Sequence, residues 1–413
     1  MSLRTEFAEL TRPQRNAFIA CFLGWALDAF DFFILTFCLT AIAADFHTGV
    51  KQVAEGLFWT LAMRPVGALL FGRMASKWGR KPTLMVNIIS FSIFELASAF
   101  APTLTVLLVC RALFGIAMGG EWGVGAALAF ETLPAKGRGY FSGLLQEGYV
   151  VGNLMASLLY WFVFPHLHGT GMLTNWRVMF MIGALPAGLV LYIRSKVEES
   201  PAWVAQKRVK EKFDWGAIWA HVPTFLFLIV LMTAFTSFSH GTQDLYPTFL
   251  EKGHGFTPAR VGAIAFIANL GGLAGGIAFG GISERLGRKK AIIIASLLAV
   301  PMIPLWAWTT TPMLLAAGGF LMQFMVQGAW GVVPAHLNEL SPGRVRDTMP
   351  GVTYQLGNLL SSRNGVFQTT VGARYFGGSL KFVLSATVVV IALLVSGLTA
   401  IGRERRGVDL SGG

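Results

Sequence analysis

Apolar residues form long runs along this chain, and short polar or charged stretches separate them. Each run is long enough, at about 20 residues, to cross the hydrocarbon core of a bilayer. Lipid offers the backbone no hydrogen-bond partners, so only helices or closed barrels span membranes, and runs without strand-like alternation favour helices. The pattern predicts twelve transmembrane helices, spans 1 to 12, at residues 17–42, 56–74, 82–100, 104–129, 140–164, 176–194, 222–250, 258–281, 290–309, 312–338, 348–372 and 379–402.

The composition agrees with an integral membrane protein. Of the 413 residues, 54% are hydrophobic and 13% are charged, whereas soluble domains carry about 25% charged residues. The formal net charge of +12 does not indicate a nucleic-acid partner, because the basic residues lie between apolar runs and form no single basic face. The lipid bilayer is the expected surrounding, and nucleic acid is not an expected partner.

Lysine and arginine indicate the orientation, because cytoplasmic loops retain them during insertion. They are concentrated at both ends of the chain and in alternate loops. This distribution predicts a multi-pass protein of the cell inner (plasma) membrane with both termini in the cytoplasm. The charged stretch 196–220 divides six spans from six, so the predicted domains are an N-terminal half at 1–195, a cytoplasmic linker at 196–220 and a C-terminal half at 221–413.

Two motifs recur at one offset of 208 residues. The loop motif consists of Gly72, Ser76, Lys77, Gly79, Arg80 and Lys81 and returns as Gly280, Glu284, Arg285, Gly287, Arg288 and Lys289. The second motif consists of Gly120, Trp122, Gly123 and Glu131 and returns as Gly328, Trp330, Gly331 and Glu339. Two separate motifs with one offset predict two homologous six-helix halves, and parallel repeats of this kind place the ligand near the bilayer midplane between the halves.

The repeated loop, Gly-x-x-x-acid-basic-x-Gly-Arg-basic, resembles the signature of the major facilitator superfamily, and the resemblance covers the whole chain. It implies an all-α fold of twelve transmembrane helices in two pseudo-symmetric halves, usually working as a monomer. Ser76 replaces the first acid in the N-terminal copy. The motif residues are expected to act as conformational gates, and the gating set is Arg80, Lys81, Glu131, Arg288, Lys289 and Glu339.

Ionisable residues inside the spans are the candidates for function, since each costs at least ~2.5 kcal/mol in hydrocarbon and faces the protein interior by default. Arg64 in span 2 and Arg363 in span 11 are the leading candidates for holding an anion, because a guanidinium binds a carboxylate through two hydrogen bonds. A structural ion pair within one half is the alternative for both. For Arg111 in span 4 the structural pair is the favoured interpretation.

Span 7 carries the densest polar cluster. Its polar residues are Ser239, His240, Thr242, Gln243, Asp244 and Thr248. His240 and Asp244 are four residues apart, so they share one helix face and can form a single protonatable unit. Gly241 and Pro247 are expected to let this helix bend or open.

This stretch resembles a pattern of the sialate and monocarboxylate proton-symporter branch, typified by fungal lactate permeases, with Thr236 where that branch has Asn. The branch also uses a Gln-x-x-Asn pair in span 11, met here by Gln355 and Asn358, and an arginine in span 2, met by Arg64. The resemblance implies symport of a proton with a small monocarboxylate such as lactate or pyruvate. A sialic acid or other organic-anion proton symporter is the alternative.

The resemblance assigns His240, Thr242 and Gln243 to the substrate site with Arg64, Gln355 and Asn358. Arg363 is added to this set because of its charge. The 208-residue offset adds a separate inference, because it relates Thr236 and Ser239 of span 7 to Asp28 and Asp31 of span 1. Proton coupling is therefore expected from Asp28, Asp31, His240 and Asp244. An acid that pairs with an arginine in the resting state is the alternative role for Asp28 and Asp31.

Two further sets of polar residues have less specific signals. Glu121 in span 4 is interpreted as a packing or gating contact. Gln323 and Gln327 in span 10 either line the cavity or make an interhelical contact.

The chain contains no phosphate-binding loop, metal-ligand spacing or nucleophile elbow. We therefore expect a transporter that is not an enzyme, with no cofactor and no metal, whose partners are a small organic anion and protons.

Overall fold

A computed structural model describes residues 7, 9–133, 141, 144–167, 173–206, 221–341 and 349–404. Ten helices in this part of the chain are long and apolar enough to cross a membrane. Spans 6 and 11 are each built from two shorter helices, and together with the ten they confirm the predicted all-α architecture of twelve spans. Residues 140, 142, 143 and 348 of the predicted spans lie outside the described residues.

The first six spans have the following bounds: span 1, Arg12–Asp45; span 2, Val50–Trp78; span 3, Arg80–Ala99; span 4, Leu104–Thr132; span 5, Gly148–Phe162; and span 6, Asn175–Gly183 with Leu189–Lys196. The helix Pro201–Gln206 follows span 6. Residues 207–220 of the predicted linker lie outside the described residues, so the domain boundaries stay a prediction.

The last six spans have the following bounds: span 7, Val222–Gln243 with Tyr246–His254; span 8, Pro258–Leu286; span 9, Arg288–Ala299, continued by the 3-10 turn Val300–Met302 and the π-helical turn Pro304–Trp308; span 10, Pro312–Leu340; span 11, Met349–Ser361 with Asn364–Tyr375; and span 12, Lys381–Ile401. The interruption of span 7 falls between Gly241 and Pro247. Pro247 lies in the first turn of the second helix, where its missing N–H leaves no hydrogen bond unmade.

Glycines bring the spans of each half into close contact. Gly115 and Gly119 of span 4 lie against the backbone of span 2 at Thr60 and Arg64, where a side chain would collide with main-chain atoms. Spans 8 and 10 repeat this contact in the second half, with the glycines on span 8. Small residues at membrane helix interfaces let backbones approach closely. The site residue Arg64 therefore lies on a tightly fixed helix.

The two six-span groups meet through spans 2 and 11 on one side and spans 5 and 8 on the other. The two contacts are equivalent under the 208-residue repeat, because span 2 corresponds to span 8 and span 5 corresponds to span 11. Apolar side chains such as Leu69, Ile277 and Leu393 are exposed on the outside of the bundle. A surface of this kind is suited to lipid, so the chain is a multi-pass membrane protein.

Candidate functional site

Arg64 lies fully buried at the contact between the two six-span groups. None of its guanidinium nitrogens has a hydrogen-bond partner among the described residues. The guanidinium carbon lies 5.7 Å from the ring centre of Trp25 in span 1 and 5.5 Å from that of Tyr354 in span 11. Ring faces stabilise a cation without neutralising its charge. A buried charge is normally paired, so this guanidinium is a candidate for binding an anion.

Asp28 and Asp31 of span 1 are also fully buried, and their carboxyl oxygens have no hydrogen-bond partner among the described residues. Asp28 is within electrostatic range of Arg64. Asp31 instead faces Gly183 of span 6 together with the carboxyl group of Glu95. The structure therefore brings Asp28, but not Asp31, to the Arg64 guanidinium.

His240 and Asp244 form a buried pair in span 7. Nδ1 of His240 lies 3.1 Å from Oδ1 and 3.2 Å from Oδ2 of Asp244, as their four-residue spacing predicts. The imidazole packs edge to face against Phe32 of span 1, with ring centres 5.5 Å apart. Span 7 thereby presents its protonatable pair to span 1 across the contact between the halves.

Tyr149 of span 5 connects this pair to Arg64. Its hydroxyl is within electrostatic range of both Asp244 and Arg64. Its ring lies 5.9 Å from that of Trp25 and 5.2 Å from that of Phe33, measured between centres. One continuous buried cluster therefore joins the guanidinium, the aromatic rings and the span 7 pair.

Gln355 and Asn358 of span 11 lie beside Arg64. The Asn358 side-chain amide donates to Oε1 of Gln355 at 3.1 Å, and Gln355 Nε2 donates to the carbonyl of Gly119 at 3.4 Å. Gly119 packs directly on the Arg64 backbone. Oδ1 of Asn358 is buried and accepts no hydrogen bond within the described residues. The structure thus brings together Arg64, Gln355 and Asn358, as the sequence predicts.

Aromatic residues form a wall of this cluster. Tyr354 lies between Trp122 and Trp330, with ring centres 5.3 and 5.9 Å away. The two tryptophans belong to the second repeated motif, but the sequence analysis gave them no role in the site. Trp25 is one of many aromatic residues in apolar runs, and no motif marks it.

Thr242 and Gln243 face span 10 and not Arg64. Nε2 of Gln243 donates to Oε1 of Gln323 at 2.7 Å, and Nε2 of Gln323 lies 3.4 Å from the Thr242 hydroxyl. Gln327 Nε2 donates to the Ser239 hydroxyl at 3.3 Å. These glutamines therefore make an interhelical contact between spans 7 and 10.

The structure does not bring Arg363 to the buried cluster. Its side chain is 62% exposed, lies 3.6 Å from the carboxylate of Glu55 and stacks 3.9 Å above the ring of Phe58. Arg111 is buried but is paired with Glu95 at 2.6 Å, in agreement with the predicted structural role. Arg64 is therefore the candidate cation that remains available to a ligand.

The predicted gating residues of the first half form an ion-pair network at the end of the bundle that carries the repeated loops, here called the basic end. Arg80 binds both carboxylate oxygens of Glu131, at 2.9 and 3.1 Å. Nζ of Lys81 donates to the carbonyl of Arg194 at 3.1 Å. Gly79 precedes them with φ of 109°, a conformation that disfavours any side chain.

The second half repeats this arrangement. Arg288 lies 3.1 Å from Glu339 and 2.5 Å from Glu284, and Lys289 donates to the carbonyls of Ala400 and Gly402. Ser76 occupies the position equivalent to Glu284 and donates only to its own helix backbone. The first half therefore lacks this carboxylate contact, as its departure from the motif predicts.

The roles of two carboxylates at the basic end were not predicted from the sequence. Glu199 accepts from the backbone N–H groups of Arg80 and Lys81 at the start of span 3. Glu404 does the same for Arg288 and Lys289 at the start of span 9. Acids stabilise helix N-termini. The repeat does not reveal them, because the two glutamates are 205 residues apart rather than 208.

At the opposite end of the bundle, Glu251 of span 7 joins the two six-span groups. Its carboxylate accepts hydrogen bonds from Thr40 of span 1 and Tyr160 of span 5. No motif marks this residue in the sequence.

A twelve-span helical bundle with a charged cluster between its halves is typical of a secondary membrane transporter. A family model of the Major Facilitator Superfamily matches residues 21–362. This chain belongs to that superfamily and is a multi-pass membrane transporter.

Individual relatives and structures agree with this classification. The sialic acid transporter NanX of Escherichia coli is 29% identical over 403 residues, covering 96% of this chain and 97% of that protein. A carboxylic acid transporter protein homolog of Saccharomyces cerevisiae is 28% identical over 90% of this chain, which spans 63% of that protein. The E. coli xylose transporter XylE, in a partially occluded inward open conformation, superimposes with a TM-score of 0.75 at 16% identity, over 96% of this chain and 99% of that one. These are transporters, which supports the expectation that this chain is not an enzyme.

Proposed function

We propose that this protein is a proton-coupled symporter of small monocarboxylates of the lactate and pyruvate class, working by alternating access. The observation that carries the proposal is Arg64, a buried guanidinium without a hydrogen-bond partner among the described residues, held between aromatic rings where the two halves meet. A permanent charge in such a place favours binding of one anionic group.

The substrate carboxylate binds Arg64 in this proposal. Gln355 and the free Oδ1 of Asn358 then hydrogen-bond the rest of a small polar ligand. The rings of Trp25 and Tyr354 enclose the site on two sides and restrict the size of the ligand. Thr242, Gln243 and Arg363 act at a distance from the bound carboxylate, because the structure places them outside this cluster.

The proton is handled by Asp28, Asp31, His240 and Asp244. Asp28 is within electrostatic range of Arg64, and Tyr149 lies within electrostatic range of both Arg64 and Asp244 of the His240–Asp244 pair. Binding a proton to this network removes negative charge that would compete with the substrate for Arg64. Substrate and proton therefore bind together.

Alternating access proceeds by rocking of the two halves about this site. The ion pairs of Arg80 and Arg288 at the basic end then act as gating contacts. The proposed carrier is a monomer of the inner (plasma) membrane, as the family resemblance implies. The distribution of basic residues supports cytoplasmic termini, so that the basic end faces the cytoplasm.

A sialic acid carrier, or a carrier of another organic anion, is the second candidate. The end-to-end similarity to a sialic acid transporter of E. coli favours it. Sialic acid also carries one carboxylate, which Arg64 suits equally well. Its many hydroxyl groups need more hydrogen-bonding partners than Gln355 and Asn358 supply, so we place it second.

Uptake of labelled L-lactate into proteoliposomes tests the proposal. We expect accumulation with an inward proton gradient and none when that gradient is collapsed. Arg64→Gln should lower uptake about tenfold or more, since a hydrogen bond to a charged group contributes roughly 1.5–3 kcal/mol. Arg260→Gln is the matched control, because that arginine is exposed at the start of span 8.

Unlabelled sialic acid, added in excess, separates the two candidates. Competition by sialic acid together with poor lactate uptake would replace lactate by sialic acid as the substrate. Lactate uptake that ignores the proton gradient would contradict the coupling.

A further inference from the structure

Glu121 of span 4 is fully buried, and neither of its carboxyl oxygens has a hydrogen-bond partner among the described residues. Oε1 points at span 1, where a Cβ atom placed on Gly24 would lie 2.5 Å away. Gly24 is one helical turn before Asp28. A packing contact against glycine requires no ionisable group, so the predicted packing role does not explain why this side chain is an acid.

Glu121 also lies close to Arg64. Gly119, two residues earlier in span 4, packs directly on the Arg64 backbone, and Glu121 is within electrostatic range of both Asp28 and Arg64. Two buried carboxyl groups, from spans 1 and 4, therefore lie within electrostatic range of one buried guanidinium from span 2.

The neighbouring ionisable groups do not change the charge balance among Asp28, Glu121 and Arg64. Arg111 of span 4 is paired with Glu95 of span 3, and Asp31 lies beside that pair. Glu95 is within electrostatic range of Asp28, and the thiol of Cys21 lies near Glu121. Both of these neighbours add negative charge or none. Among the described residues, Arg64 is the cation within electrostatic range of both Asp28 and Glu121.

We propose that Asp28 and Glu121 form a two-carboxyl proton-binding site that shares Arg64, and that either acid carries the coupling proton. The proposal rests on the proposed function. In the empty carrier one acid is ionised and balances the Arg64 charge without a direct hydrogen bond, while the other acid holds a proton. When a substrate carboxylate binds Arg64, the ionised acid takes one proton from water, because a buried carboxylate without a counter-ion is strongly disfavoured.

The shared site fixes the number of protons that are transported with each monocarboxylate. Each substrate carboxylate replaces one protein carboxylate at Arg64, so one proton enters per monocarboxylate and the loaded site has the same net charge as the empty site. Transport of a monocarboxylate is then electroneutral.

Three variants test the shared site: Asp28→Asn, Glu121→Gln and the double variant. Proton and labelled L-lactate uptake are measured together in proteoliposomes that contain a pH-sensitive dye. Each single variant should transport more slowly but keep one proton per lactate, because the other acid remains. The double variant should retain lactate counterflow and lose both the proton and gradient-driven accumulation.

A different outcome would overturn the inference. If Asp28→Asn alone abolishes coupling while Glu121→Gln behaves as the wild type, Glu121 has only a packing role. A double variant that still takes up one proton per lactate would place the proton elsewhere. The Asp28→Asn result decides the question even if the double variant does not fold.

Infrared spectroscopy of the substrate-free protein provides a test that does not depend on transport. Each single variant should remove the C=O absorption of one protonated carboxyl group, because the remaining acid gives up its proton to pair with Arg64. The double variant should remove no more than either single variant. Absorption that is unchanged in Asp28→Asn contradicts the shared site, whereas loss of absorption without uptake of lactate or sialic acid contradicts only the proposed function.

Discussion

Arg64 and Arg111 show how two chemically identical side chains acquire different roles. Both are fully buried in adjacent spans of the first half. Arg111 pairs with Glu95 at 2.6 Å and donates to the hydroxyl of Ser98 at 2.7 Å. Arg64 makes no hydrogen bond within the described residues and lies near the rings of Trp25 and Tyr354. The hydrogen-bonded pair indicates a structural role for Arg111, whereas Arg64 stays a candidate for binding a ligand.

Arg111→Gln should destabilise the protein by about 3–5 kcal/mol, because removing one partner of a buried ion pair leaves an uncompensated charge on Glu95. The double variant Glu95→Gln, Arg111→Gln should recover part of that loss, since it leaves no charge behind. Unfolding in detergent, followed by tryptophan fluorescence, measures both. A double variant less stable than Arg111→Gln would contradict this explanation.

The sequence identifies most residues of the candidate site because ionisable groups are conspicuous in apolar runs. Asp28, Arg64, His240 and Asp244 all stand out in this way. Which acid lies beside which arginine does not follow from the pattern. Asp31 is three residues from Asp28 and lies on another charge cluster, and Arg363 lies in an interruption of span 11 that leaves it exposed.

At the scale of elements, the pairing of spans 2 and 4 positions the site. Gly119 brings the span 4 backbone onto span 2 at Arg64, and its carbonyl accepts from Gln355 of span 11. One small residue thus holds three spans at the distances that the site requires. Gly123, one turn later in the same helix, has no atom within 4 Å of the position of a Cβ.

Gly119→Ala should therefore destabilise the protein, by about 1–3 kcal/mol as for other overpacking substitutions, and should also impair transport by displacing Arg64. Gly123→Ala is the matched control. It should be neutral or stabilising by up to about 1 kcal/mol, since alanine is the better helix former and meets no neighbour. Thermal unfolding and lactate uptake compare the two, and equal effects of the two substitutions would contradict the packing argument.

The helix interruptions differ in how far sequence predicts them. Span 7 is interrupted between Gly241 and Pro247, residues whose backbone properties favour a bend. Span 11 is interrupted at Ser362 and Arg363, which carry no such signal. The position of the span 11 interruption is known only from the structure.

For the molecule as a whole, the two ends of the bundle are held differently. At the basic end, the ion pairs Arg80–Glu131 and Arg288–Glu339 each lie within one six-span group. At the opposite end, Glu251 receives hydrogen bonds from the other group. Contacts that cross between the groups must break when the halves rock apart, so Glu251 should favour closure at its own end.

Glu251→Ala should shift the population toward the state that is open at this end. The substitution removes two charge-assisted hydrogen bonds that hold this end closed. A loss of about 1.4 kcal/mol would change the ratio of open to closed states tenfold. A cysteine introduced by Thr248→Cys, at a buried position of the same helix, should then react about tenfold faster with a membrane-impermeant maleimide.

Lys252→Ala is the control for this experiment, because Lys252 is the exposed charged neighbour of Glu251. It should leave the reaction rate unchanged. The three native cysteines are buried, and the parent protein measures their background. Equal acceleration by both substitutions would show a general loosening of span 7 and not the loss of a specific contact.

The sequence by itself determined the spans, the two-half repeat, the repeated residues of the basic end and most of the ionisable residues of the candidate site. These features depend on the length of apolar runs and on one fixed offset, and lipid permits almost no alternative to helices for such runs. Only the tertiary structure decided that Arg64 has no hydrogen-bond partner among the described residues while Arg111 pairs with Glu95, that Glu121 lies near Asp28, and that Arg363 lies outside the cluster. The reason is physical: the charge balance of a buried group depends on which helices approach it in space, and glycine contacts between spans far apart in the chain set that approach.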